Sequence, residues 1–174
     1  KAVVLNEAVT ADPSNSLDNK IMYKGTVGKP YRTFQQAIDE SKDISGVIII
    51  VYPGIYSRKD DCGITINGKS GDNSMYIYGA TWRSTMSPLM PSLSLPIISC
   101  NNYVATRHLT VKAYVDSSTD NSGGKPKPTK LEIAGMKFTG GTGNGGGGGS
   151  IYISSASEII VKQMIFDKNS ANEN

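Results

Sequence analysis

Residue types able to do chemistry are few in this chain, and they are scattered. The densest charged cluster is Arg58-Lys-Asp-Asp61. Asp60 and Asp61 would supply half of a carboxylate pair of the kind that flanks a scissile glycosidic bond. With Asp72 they would instead be oxygen ligands for calcium, which takes about six to eight. Neighbours on a strand point to opposite faces, so the plainer alternative is a solvated loop. His108 is the only histidine. In the strand His108-Leu-Thr-Val111 it is expected to be an outward structural residue rather than a general base, and with two distant cysteines it makes no zinc set. Tyr76 and Tyr78 share one face at strand period. Together with Trp82 they are candidates for an aromatic platform against sugar rings; the alternative is that they pack beneath the proline-bearing segment from Ser84 to Pro96. Cys62 and Cys100 are candidates for a disulfide in an oxidising compartment, worth roughly 3–4 kcal/mol. Otherwise they are two free thiols, one per strand, and geometry decides between the two. Calcium is the one cofactor these residues suggest.

The elements that must position these side chains are short. With 174 residues there is enough chain for one domain with a core. Glycine is abundant, at 19 residues, and five of them form the run Gly145 to Gly149. No Gly-Lys-Ser/Thr follows that run, so it is not a phosphate loop but an excursion between strands. The formal net charge is +3, and the 18 Lys and Arg are dispersed without a basic block. That pattern argues against a nucleic-acid footprint. No apolar run is long enough to span a membrane. The chain starts at Lys1 without a signal-peptide pattern, as a processed secreted protein or a trimmed chain would.

Residues 1–30 read as an irregular leader, with Lys1 to Leu5 a candidate edge strand. Thr33-Phe-Gln-Gln36 forms a capping box, and Phe34, Ala37 and Ile38 then share one helical face. A short amphipathic helix is therefore expected over 33–43. Gly46-Val-Ile-Ile-Ile-Val51 is a continuous β-branched run, which indicates a strand covered on both faces, as in parallel sheets. It ends at the turn signal Tyr52-Pro-Gly54. Beyond it lie only short extended pieces, which a sandwich, a barrel or a solenoid would all accommodate.

Internal self-similarity decides among them. Leu131-Glu-Ile-Ala-Gly-Met-Lys-Phe138 aligns with Ile159-Ile-Val-Lys-Gln-Met-Ile-Phe166 at an offset of 159 − 131 = 28, and Thr142 and Asn144 match Ser170 and Asn172 at the same offset. A unit of strand, turn, strand and polar loop buries its apolar face only by stacking on a neighbour. Such a stack leaves its first member open, and a short helix placed before it provides the cover. The expected fold is all-β: a right-handed parallel β-helix over 31–174, with a capping helix at 33–43 and coils from 46 onward. The repeat calls for another strand past Asn174, so continuation beyond the chain is expected.

Two resemblances sit on these motifs. Tyr31-Arg-Thr-Phe-Gln-Gln-Ala-Ile38, Val47-Ile-Ile-Ile-Val51 and Tyr52-Pro-Gly-Ile-Tyr56 resemble the start of pectin-lyase-like β-helix proteins. That likeness implies the fold and is nearly silent about chemistry. Enzymes of that superfamily place calcium-binding carboxylates with an Arg or Lys base, or paired carboxylates, on central coils; Asp60 and Asp61 lie near the capped end. Phe166-Asp-Lys-Asn169 and Gly148-Gly-Ser-Ile151 are similar to the Phe-x-x-Asn and Gly-Gly-Ala-Ile elements of chlamydial polymorphic membrane protein repeats. Ser150 replaces the Ala, and Phe138-Thr-Gly-Gly141 lacks the Asn. This second likeness implies a surface-displayed, adhesive β-helix.

The expected function is an extracellular or cell-surface structural or adhesive protein used for display, assembly or binding of a glycan or partner. Its expected contacts are polysaccharide, and self-association or continuation of the stack at the C-terminal end. Two alternatives are carried: the N-terminal part of a polysaccharide lyase or hydrolase whose active coils lie further on, and a carbohydrate-binding module centred on Trp82. No complete catalytic constellation stands in these residues, so the reading leans away from an enzyme.

Overall fold

The β-branched run at Val47–Val51 does form a strand, and parallel neighbours flank it on both sides. In the computed structural model the described residues are 2–5, 30–41, 46–68, 74–80, 95–104, 106–112, 129–143, 148–154 and 158–171. They make one α-helix, α1 (Phe34–Ser41), and fourteen short strands. The strands are β1 (Ala2–Leu5), β2 (Val47–Val51), β3 (Ile55–Tyr56), β4 (Ile64–Asn67), β5 (Ser74–Gly79), β6 (Ile97–Ser99), β7 (Leu109–Lys112), β8 (Lys130–Ala134), β9 (Lys137–Thr139), β10 (Thr142–Gly143), β11 (Ile151–Ser154), β12 (Glu158–Lys162), β13 (Ile165–Asp167) and β14 (Ser170–Ala171).

Every strand pairing among them is parallel. The sheets run β1-β2-β5-β8-β12, β3-β6-β9-β13 and β4-β7-β11, with the small pair β10-β14 beside them. The chain therefore visits three sheets in rotation, and each circuit lays one rung upon the last. Val47 pairs with Met75 and Leu131 with Ile159, offsets of 75 − 47 = 28 and 159 − 131 = 28. Between Met75 and Leu131 the offset is 131 − 75 = 56, because longer segments intervene.

Register turns the apolar pattern into columns. In the largest sheet Val47, Met75, Leu131 and Ile159 form one column, and Ile49, Ile77, Ile133 and Val161 the next. Tyr56, Ile98, Phe138 and Phe166 stack in the second sheet. Ile64, Leu109 and Ile151 stack in the third, beside Ile66, Val111 and Ile153. These columns meet in a single core, and the members in the first three rungs of the large sheet are all buried. Alternation along each strand aims the intervening residues outward.

Helix α1 closes one end of this core. Phe34, Ala37 and Ile38 are buried in the core cluster. Thr33 Oγ1 accepts from the Gln36 amide at 3.2 Å, as expected of an N-cap. β1 extends the large sheet beyond β2, so the N-terminal residues supply its outer strand.

Two bends require the left-handed backbone region. Gly135 and Gly140 have φ of 68° and 73°, and one rung on (163 − 135 = 28; 168 − 140 = 28) the same conformation falls to Gln163 and Lys168, with φ of 48° and 53°. Side chains in that region carry a cost of about 1 kcal/mol each. The fourth rung therefore copies the third at some strain.

Rung position predicts what each core side chain is worth. Phe138 is fully buried, whereas Phe166, next in its column, is 48% exposed. Phe138→Ala is expected to cost about 3–5 kcal/mol in urea denaturation. Phe166→Ala is expected to cost less than half of that, and equal costs would contradict the terminal placement of Phe166.

Candidate functional site

The carboxylates divide between structure and solvent. Asp61 ends a single 3-10 turn, Lys59–Asp61, and is buried. Its Oδ1 accepts from the Phe34 amide at 2.8 Å, and its Oδ2 accepts from the Arg58 amide at 3.0 Å. Asp61 thus satisfies an otherwise orphan donor at the start of α1 and ties the helix to the first rung. Burial pushes its pKa up, against the two amide donors, which pull it down. Asp60 is exposed beside it, and Asp72 lies outside the described residues. Among the described residues, no group of three metal-ligating side chains converges. With both Asp61 oxygens engaged by amides, the expected calcium set does not assemble around it.

Tyr76 and Tyr78 lie on the outer face of β5, half-buried, with ring centroids 6.2 Å apart and planes tilted by 45°. In register beside them on β8 are Glu132 and Ala134. Trp82 lies outside the described residues. Cys62 and Cys100 are joined as a disulfide, with Cα atoms 5.8 Å apart. The bridge links the turn before β4 to the residue just after β6, and so fastens the first rung to the second.

His108 departs from the outward position read from its strand. It is fully buried, and its ring stacks on Phe138 at 4.6 Å with planes 9° apart. Nε2 lies 3.2 Å from the Ile98 carbonyl oxygen and 3.1 Å from that of Thr139. Carbonyls only accept, so Nε2 carries the proton and donates to both. Nδ1, 3.1 Å from Ser150 Oγ, is then the acceptor for the Ser150 hydroxyl. Burial holds the His108 pKa down to about 4, although the two carbonyls favour the charged form. The serine and imidazole touch as a nucleophile and base would. Yet the ring is enclosed and a weak base at neutral pH, so the pair acts as a strut between rungs. The sequence signal for this was thin, since an isolated His in an apolar strand fits either face.

What the described residues leave open is the fourth rung. Ile153, Val161 and Phe166 belong to inward columns, one in each of the three sheets, yet they are 47%, 44% and 48% exposed. Their predecessors Val111, Ile133 and Phe138 are fully buried. The exposure is thus a cross-section of the core rather than a set of outward side chains. The rung is held in place by polar ties. Asn169 Oδ1 accepts from the Gly141 amide at 2.8 Å, and Asn169 Nδ2 donates to the Phe138 carbonyl at 3.0 Å. Lys130–Glu158 (3.6 Å), Lys162–Glu132 (2.9 Å) and Lys137–Asp167 (2.8 Å) pair across the same two rungs. Such exposed pairs contribute about 0–1 kcal/mol each, and what they chiefly fix is register.

No family model, no curated protein and no solved structure matches the chain.

The buried imidazole makes stability depend on pH. Its folded value is about 4, below the unfolded value of about 6.5. The neutral form is favoured in the fold, so this contribution is fully present above pH 6.5 and is lost as the pH falls toward 4. The loss is expected to reach about 3 kcal/mol. Urea midpoints measured between pH 7 and pH 4 check it, and His108→Asn is expected to flatten that part of the profile.

Proposed function

We propose that this chain is a right-handed parallel β-helix that acts outside the cytoplasm as a structural or adhesive element, with its terminal rung as the surface for association. Rotation of the chain through three all-parallel sheets supports the β-helix reading, as does a repeat offset that recurs in the pairing register. The right hand follows the usual hand of parallel crossovers. The likeness to pectin-lyase-like starts and polymorphic membrane protein repeats fits the same reading. The disulfide between Cys62 and Cys100 supports an oxidising compartment. The observation that carries the function is the uncovered apolar cross-section at Ile153, Val161 and Phe166, since contiguous exposed apolar surface marks sites of interaction.

A second reading, glycan contact at the outer face, rests on the Tyr76–Tyr78 pair. The enzymatic alternative would have to recruit Asp60, the exposed carboxylate of its cluster.

The readings separate by assay. Incubated with polygalacturonate or alginate, with and without calcium, the chain is expected to release no new reducing or unsaturated ends. Sugar release abolished by Asp60→Asn would overturn the structural reading. Retention on an immobilised glycan, lost in Tyr76→Ala at unchanged circular dichroism, would replace it with the glycan-binding one.

A further inference from the structure

The exposed core cross-section has a feature that selects its partner. The opposite end of the stack is covered by α1, with Phe34, Ala37 and Ile38 buried there. Each molecule therefore offers one open core face, not two. Head-to-tail stacking, which needs two, would meet the helix. Two copies joining by the same face form an isologous pair about a two-fold axis, and that arrangement closes after two members.

Strand β12 is built for that geometry. When two such ends face each other, their edge strands run antiparallel. β12 reads Glu158-Ile-Ile-Val-Lys162, and reversal about Ile160 sets Glu158 against Lys162 twice and Ile159 against Val161 twice. Opposite charges meet at both ends and apolar side chains meet between them. The backbone groups on the free edge of β12 gain partners as well, as in β-strand addition. Reversal also carries the β11 side of one copy toward the β13 side of the other, so the exposed Ile153 and Phe166 face apolar surface.

We infer that a second copy of this chain covers the terminal rung, by antiparallel pairing of β12 with itself about Ile160. This inference rests on the reading of that rung as the association surface.

Charge reversal tests it without disturbing the core. Glu158 and Lys162 are both exposed, and their pairs with Lys130 and Glu132 lie within one molecule. By sedimentation equilibrium the 174-residue chain is expected to be a concentration-dependent dimer. Glu158→Lys alone and Lys162→Glu alone each create two like-charge contacts across the axis. Each is expected to weaken the dimer at least about tenfold. Mixed in equal amounts, one variant presents two lysines and the other two glutamates, and association is expected to return to near the unmodified value. Loss of the intramolecular pairs alone would not be repaired by mixing. A monomer throughout the concentration range, a mixture no tighter than either variant, or species larger than a dimer would each overturn the inference. A monomer that releases no sugar leaves the structural reading standing and removes only the dimer, whereas sugar release overturns that reading whatever the oligomeric state.

Discussion

Register between neighbouring rungs is the constraint on which the rest of the molecule depends. No strand here exceeds six residues, and none could bury its apolar side chains alone. Each inward residue is covered by the residue above and below it in its column, while the same alignment supplies the interstrand hydrogen bonds. A slip of one residue would turn every inward side chain outward. This is why the ion pairs and Asn169 matter more for placement than for energy. Lys130–Glu158, Lys162–Glu132 and Lys137–Asp167 match only when the columns match.

The buried polar groups obey the same constraint, each tying parts of the chain that are distant in sequence. Asp61 joins α1 to the first rung through two amides. The disulfide joins the first rung to the second. His108 gathers carbonyls from Ile98 and Thr139 and a hydroxyl from Ser150, one partner from each neighbouring part of the stack. A satisfied polar network in a low-dielectric interior specifies one arrangement, because any other leaves a donor or acceptor unpaired. Residues that would pass for catalytic groups on type alone are here spent on position.

Much of this was legible in the sequence where the signal was local or repeated. Thr33 capping and the Phe34, Ala37, Ile38 face of α1 follow from helical spacing. The 28-residue offset reappears in the pairing of Leu131 with Ile159 and of Phe138 with Phe166. The Phe-x-x-Asn element acquires a physical meaning as well: Phe166 continues a column, and Asn169 reaches back to the rung before it. Contacts between non-repeating segments were not legible. Nothing local announces that Asp61 caps a helix 27 residues earlier. The burial of His108 depends on a column whose pairings, Ile55 with Ile97 and Ile97 with Lys137, are offset by 42 and 40 rather than 28. Where loop lengths vary, periodicity no longer says which residues share a side.

The two ends of the stack solve the edge problem differently. At one end a helix lays an apolar face on the core, and the chain keeps every inward side chain dry. At the other the fourth rung holds Gln163 and Lys168 in a backbone region where the third rung has glycine, and its inward Val161 and Phe166 stay about half exposed. A rung with strained bends, exposed columns and a free edge has little burial to stabilise it. It keeps its shape through side-chain ties to the rung beneath. An element held in that way sits at the low-stability end of the fold. Any surface that buries its apolar columns therefore stabilises the rung and gains the association energy at once, which couples order at this end to the arrival of a partner.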